Sequence, residues 1–149
     1  MNTHTDFIAA MPSPEETFPG ATLMVVDDER WPLLVYERLL GDGYTVVSVE
    51  SGGRAVAMAA DLCPELIVLD LLGPEPDEMA TLRALREHSL TAVIVVLAAI
   101  GTIQLARQAM LLGADDFITK PFDPDLLKLV LRDGLAARRR SAQELACAP

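Results

Sequence analysis

Residues 66–74, LIVLDLLGP, constrain the fold of this chain more than any other stretch. Four consecutive apolar residues run into Asp70. Two leucines follow, and Gly73-Pro74 leads into an acidic segment, Glu75 to Glu78. A short apolar run bounded by turn residues suits a strand buried on both faces. A buried helical segment has the same composition and stays open on pattern alone. As a strand, the run carries Asp70 at its carboxyl end. In open parallel α/β sheets that edge is where ligands and chemistry gather. A carboxylate there is either the N-cap of the next helix or a reactive group.

The rest of the chain supports the strand. Residues 23–26 form a second apolar strand, ending in Asp27-Asp28-Glu29. From 31 to 40, Leu33, Leu34, Tyr36, Leu39 and Leu40 recur at helical spacing, with Pro32 in the first turn and Gly41-Asp42-Gly43 as the stop. A β-branched strand spans 44–49, and Ser51-Gly52-Gly53 opens a helix carrying Ala55, Val56, Met58 and Ala59. After the Asp70 strand, a helix over 77–87 turns Met79, Leu82 and Leu85 inward. Residues 92–97 form a strand, 102–112 a helix closed by Gly113, and 116–119 a short strand followed by Lys120-Pro121-Phe122. The last helix spans 123–138, with Leu126, Leu127, Val130, Leu131 and Leu135 on one face. Five strands alternating with five helices imply right-handed βαβ crossovers and a parallel sheet covered on both faces.

Length and charge narrow the functional classes. A chain of 149 residues is expected to form one domain with a real core. Three prolines and Gly20 mark residues 1–20 as a flexible tail. The domain proper spans 21–138, and 139–149 form a C-terminal tail or a truncated linker. The net charge of −10 argues against a broad nucleic-acid surface. Residues 1–119 carry 18 acids and 6 bases, residues 120–149 carry 4 and 6. Cys63 and Cys147 have neither disulfide-framework nor metal-site spacing, so a reduced Cys63 is expected. The N-terminus does not read as a signal peptide, and the longest apolar run, 92–100, is too short to span a bilayer. These features point to the cytoplasm, with no membrane contact.

Three strand ends then coincide at one edge: Asp27-Asp28 after the first strand, Asp70 on the third, Lys120 after the fifth. Taken singly, the acidic pair reads as a capping turn and Lys120 as a solvated surface residue. Together they are more specific. Clustered carboxylates resist ionising. A hard divalent cation relieves that repulsion, and few oxygen ligands completed by water suit Mg2+. A lysine opposite the metal suits an incoming phosphoryl group, and an aspartate nucleophile gives an aspartyl-phosphate.

The segments Val25-Val26-Asp27-Asp28-Glu29, Leu69-Asp70-Leu71 with Pro74 and Asp77, Gly113-Ala114-Asp115-Asp116-Phe117, and Lys120-Pro121-Phe122 carry a resemblance. Over about residues 23–135 the chain resembles a receiver domain of the two-component response regulators. The resemblance implies an α/β flavodoxin-like (βα)5 three-layer sandwich with strand order 2-1-3-4-5. It implies Asp70 as phosphoacceptor and Lys120 as the contact to the phosphoryl group. It implies a Mg2+ site of Asp28, of Asp27 acting largely through water, of Asp70 and of the Leu72 carbonyl. It places Phe117 as the aromatic switch residue on the surface of helix four, strand five and helix five. A sensor histidine kinase or a phosphotransfer protein is then the donor. A downstream protein reads the modified surface, a homodimer is compatible, and nucleic acid is not contacted directly. The domain is a signalling phosphoacceptor, catalysing at most its own phosphorylation and dephosphorylation.

Three departures stand out. The fourth strand of the family ends in Thr or Ser, and counting places Ala98 there, with the small Ala99 next. A hydrogen bond to a charged group is worth about 1.5–3 kcal/mol, enough to matter to a switch. Glu78 stands where the family has Gly, and the stretch from Glu29 to Gly43 is one residue short. Acceptor chemistry is expected to survive, with its conformational coupling weakened. Two other functions remain open: a degenerate receiver that binds a partner whatever the state of Asp70, and a flavodoxin-like binder or enzyme for an unrelated phosphorylated ligand.

Overall fold

The computed structural model describes residue 18 and residues 20–71 and 76–146. Most of the expected N-terminal tail, Leu72 and Cys147 lie outside the described residues. In chain order the elements are β1 (Thr22–Val26), α1 (Arg30–Leu40), β2 (Thr45–Val49), α2 (Gly52–Leu62) and β3 (Leu66–Leu71). They continue with α3 (Pro76–His88), β4 (Val93–Ala98), α4 (Ile103–Leu111), β5 (Asp116–Thr119) and α5 (Pro124–Ala146). The five strands form one sheet in the order β2-β1-β3-β4-β5, every pair parallel. The order and the flavodoxin-like class are those expected from the sequence.

Alternation along the strands divides the core into two layers, because successive side chains point to opposite faces. Leu23, Val25, Leu66, Val68, Val95, Leu97 and Ile118 pack with Leu33, Tyr36 and Leu40 of α1 and Leu127, Leu131 and Leu135 of α5. Met24, Val26, Ile67, Leu69, Leu71, Ile94 and Val96 pack on the other side with Ala55 and Ala59 of α2, Leu82 and Leu85 of α3 and Ala109 of α4. β4 is buried throughout and β3 nearly so, as continuous apolar runs require. Continuing the alternation, Asp70 falls on the α1/α5 side, two residues beyond Val68. Lys120 falls there too, two residues beyond Ile118.

Local signals start and stop the helices. Ser51 accepts from the Arg54 N–H at 3.2 Å, and Thr102 from the Leu105 N–H at 3.0 Å, both as N-caps. Gly113 ends the α4 turn at φ +115°, and a β-carbon there would also press 2.5 Å from Arg86 Cγ. Cys63 closes α2 in the left-handed region at φ 47° as a free, exposed thiol. α5 differs from the expectation. It continues past Arg138 to Ala146, so residues 139–146, read as tail, are helical. Ala, Arg, Gln, Glu and Leu favour helix there and no Gly or Pro interrupts them. Arg139 also pins the extension by pairing with Glu65 at 2.8 Å. No helix among the described residues is long and apolar enough to cross a membrane.

Candidate functional site

The carboxyl edge of the sheet gathers most of the expected residues. The register sets Val26 beside Leu69 and Asp70 beside Leu97, so β1 delivers Asp27 next to Asp70. The Asp70 side chain is nearly buried and forms an ion pair with Lys120 through Oδ2. The same Oδ2 accepts a hydrogen bond from the Tyr36 hydroxyl at 3.0 Å. The Lys120–Pro121 peptide is cis.

Among the described residues Asp27 is the one buried charged residue, at 5% exposure. Its Oδ1 accepts from the Glu29 N–H at 3.0 Å, the geometry of an acidic turn. It does more than shape the turn. Burial pushes its carboxyl from 3.8 up to about 7, against the Glu29 hydrogen bond; the charge of Asp70 and a hydrogen bond shared with it push the same way, and Lys120 pulls back. The Tyr36 phenol is raised far above the ordinary tyrosine range, first by burial and then by the charge of Asp70.

Asp28 is exposed. It lines a cleft of about 260 Å³ with Asp27, Asp70, Asp77, Glu78 and Thr81, and Gly52 and Gly53 also line it. The donor set is entirely oxygen, and one of its carboxyls already resists ionising. That chemistry fits a hard divalent cation. Among the described residues no three His, Cys, Asp or Glu side chains are already gathered as a metal centre. Asp70 is turned toward Lys120 and Tyr36, and Asp28 toward solvent. A larger cleft of about 520 Å³, between Leu39, Leu40, Tyr44, Lys128 and Leu129, holds none of these residues.

Ala98 is the last residue of β4, buried, between Leu71 and Thr119. The strand end therefore presents a methyl where a hydroxyl was looked for. Phe117 is half-buried and packs against the α2–α4 side of the core. Sequence reasoning missed Tyr36, reading it only as part of an apolar helix face. The available signal was a tyrosine on a buried stripe, whose hydroxyl needs a polar partner.

A family model described as the response regulator receiver domain matches residues 23–132. The chain belongs to the response-regulator receiver-domain family. Its members are phosphoacceptors in two-component signalling, and receiver domains generally bind Mg2+ at the phosphorylation site. The chain is 32% identical over 124 residues to the transcriptional regulatory protein ZraR of Salmonella typhimurium, covering 83% of this chain and 28% of that protein. It is 30% identical over 105 residues to the chemotaxis protein CheY of Bacillus subtilis, covering 69% of this chain and 88% of CheY. Among solved structures it superposes on NtrX of Brucella abortus with a TM-score of 0.77 and 28% identity, covering 87% of this chain and 30% of that one. Against the larger regulators the chain spans only about a quarter of their length.

Proposed function

We propose that this receiver accepts a phosphoryl group on Asp70 from the phosphohistidine of a sensor histidine kinase or a phosphotransfer protein in the cytoplasm. The observation that carries the reading is the nearly buried Asp70 carboxylate paired with Lys120, beside a buried Asp27, at the end of the sheet. Oδ2 supplies the electron pair for the new bond to phosphorus. Lys120 holds that oxygen before transfer and neutralises the phosphoryl oxygens after it. Asp27 and Asp28, with Asp70 and the Leu72 carbonyl, would hold Mg2+, which when bound offsets the charge on the carboxylates and the incoming phosphoryl group.

A downstream protein would read the change on the surface of α4, β5 and α5, where Ile103 and Leu111 are exposed and Phe117 lies at the edge of the core. Ala98 favours a second reading, a degenerate receiver that binds its partner whether or not Asp70 is modified.

The test is incubation with Mg2+ and acetyl phosphate, followed by intact mass. Wild type should gain one phosphate and Asp70→Asn none. An Asn variant that is phosphorylated as fast as wild type removes Asp70 from the role, and a wild type that stays unmodified favours the degenerate reading.

A further inference from the structure

The buried stripe of α1 is aliphatic except at Tyr36, which is 6% exposed and reaches the end of β3 with its hydroxyl. That hydroxyl donates to Asp70 Oδ2 at 3.0 Å, the oxygen that also pairs with Lys120. Neither of two other hydroxyls near the end of β4 is bonded to Asp70. Thr102 caps α4 through the Leu105 N–H. Thr119 is exposed and packs directly against Gly101, where a β-carbon would overlap its Oγ1. Among the described residues, the one hydroxyl bonded to Asp70 is that of Tyr36.

We propose, resting on the acceptor reading of Asp70, that Tyr36 is the catalytic hydroxyl of this site. It orients Oδ2 before transfer and holds a phosphoryl oxygen after it, in place of a hydroxyl at the end of β4. In transfer from acetyl phosphate, a lone pair of Oδ2 forms the new P–O bond. The P–O bond of the donor breaks, and its electron pair leaves with acetate. The negative charge given up by Oδ2 leaves on acetate, and the transferred group brings its own negative oxygens to Asp70. A donor 3.0 Å from Oδ2 is within hydrogen-bond reach of those oxygens after a small rotation of the Asp70 side chain. Tyr36 remains a donor throughout and no proton leaves it. Its bond changes from one charged acceptor to another, and charge-assisted bonds are the strong ones.

A buried tyrosine needs a polar partner in any case, so the experiment separates chemistry from packing. Wild type, Tyr36→Phe and the double variant Tyr36→Phe/Ala98→Thr are incubated with Mg2+ and acetyl phosphate and followed by intact mass. Phenylalanine keeps the ring, and melting curves register any change in packing. Tyr36→Phe should take phosphate about tenfold more slowly, because Oδ2 is no longer held in place for attack. Ala98→Thr should restore part of the rate by returning a hydroxyl to β4. Equal rates in wild type and Tyr36→Phe, with only the melting temperature changed, overturn the proposal and leave Asp70 as acceptor. A slow variant that Ala98→Thr leaves slow overturns the exchange of one hydroxyl for the other. A wild type that gains no phosphate overturns the acceptor reading and this one with it.

Discussion

Where the strands begin, Arg86 donates to the carbonyls of Gly113, Ser89 and Ala92 at 2.8–3.0 Å and pairs with Asp115 at 2.7 Å. Asp115 also accepts from the Ile94 N–H and from Arg138, so Arg86, Asp115 and Arg138 each meet an opposite charge or a backbone dipole. Arg139 adds a pair with Glu65 and lies 4.7 Å over the Phe18 ring. Where the strands end, Asp27, Asp28 and Asp70 line one cleft, and Asp70 alone is bonded to Lys120 and Tyr36. The two edges are built from the same sheet with opposite electrostatic habits. The starting edge neutralises its carboxylates and locks α3, β4, β5 and α5 together. The finishing edge buries Asp27 beside the charge of Asp70, and burial first, then that charge, raises the Asp27 carboxyl.

The largest effect belongs to the starting edge. Arg86→Ala strips a partly buried cation from four carbonyls, that of Leu90 included, and a carboxylate, and should cost about 3 kcal/mol of stability in urea denaturation. A loss below about 1 kcal/mol would mean that this edge is no better compensated than the other.

At the finishing edge the sign reverses with pH. The folded chain keeps a proton on Asp27 up to about pH 7, whereas an unfolded aspartate releases it near 3.8. Between those values the folded state binds more protons. The contribution is therefore fully present below 3.8 and is lost as pH rises through 7. From pH 5.5 to pH 8 in EDTA, wild type should lose about 2 kcal/mol, at 1.36 kcal/mol for each unit up to about 7. Asp27→Asn should flatten the profile. Millimolar Mg2+ should raise the melting temperature at pH 8, because a ligand of the folded state stabilises it by mass action. Asp28→Ala should remove that rise. A flat wild-type profile in EDTA would show that Asp27 is ionised and compensated after all.

The smallest effect sharpens the comparison from within the starting edge. Arg139 and Glu65 are each more than 40% exposed. Arg139→Ala should cost only about 0.5–1 kcal/mol, from a screened ion pair and the Phe18 contact. A cost as large as that of Arg86→Ala would place the clasp on α5 rather than on α3.

Local pattern made much of this protein legible in its amino-acid sequence. Continuous apolar runs at β3 and β4, a 3.6-residue period in α1 and α5, and Ser51, Thr102 and Gly113 at helix ends are near-neighbour signals. They report which residues are buried and where an element begins or ends. Strand ends follow from them, and so does the placing of Asp27, Asp70, Ala98 and Lys120 on one edge. Tertiary structure alone decided which polar groups meet. Tyr36 and Asp70 are 34 residues apart, Arg86 and Asp115 are 29, and Glu65 and Arg139 are 74. Periodicity marks Tyr36 as buried but carries no record of the oxygen its hydroxyl will face, because that depends on how α1 lies across the sheet. Local propensity already favours helix beyond Arg138, but the pairing of Arg139 with Glu65 that pins the extension is written nowhere in the local sequence.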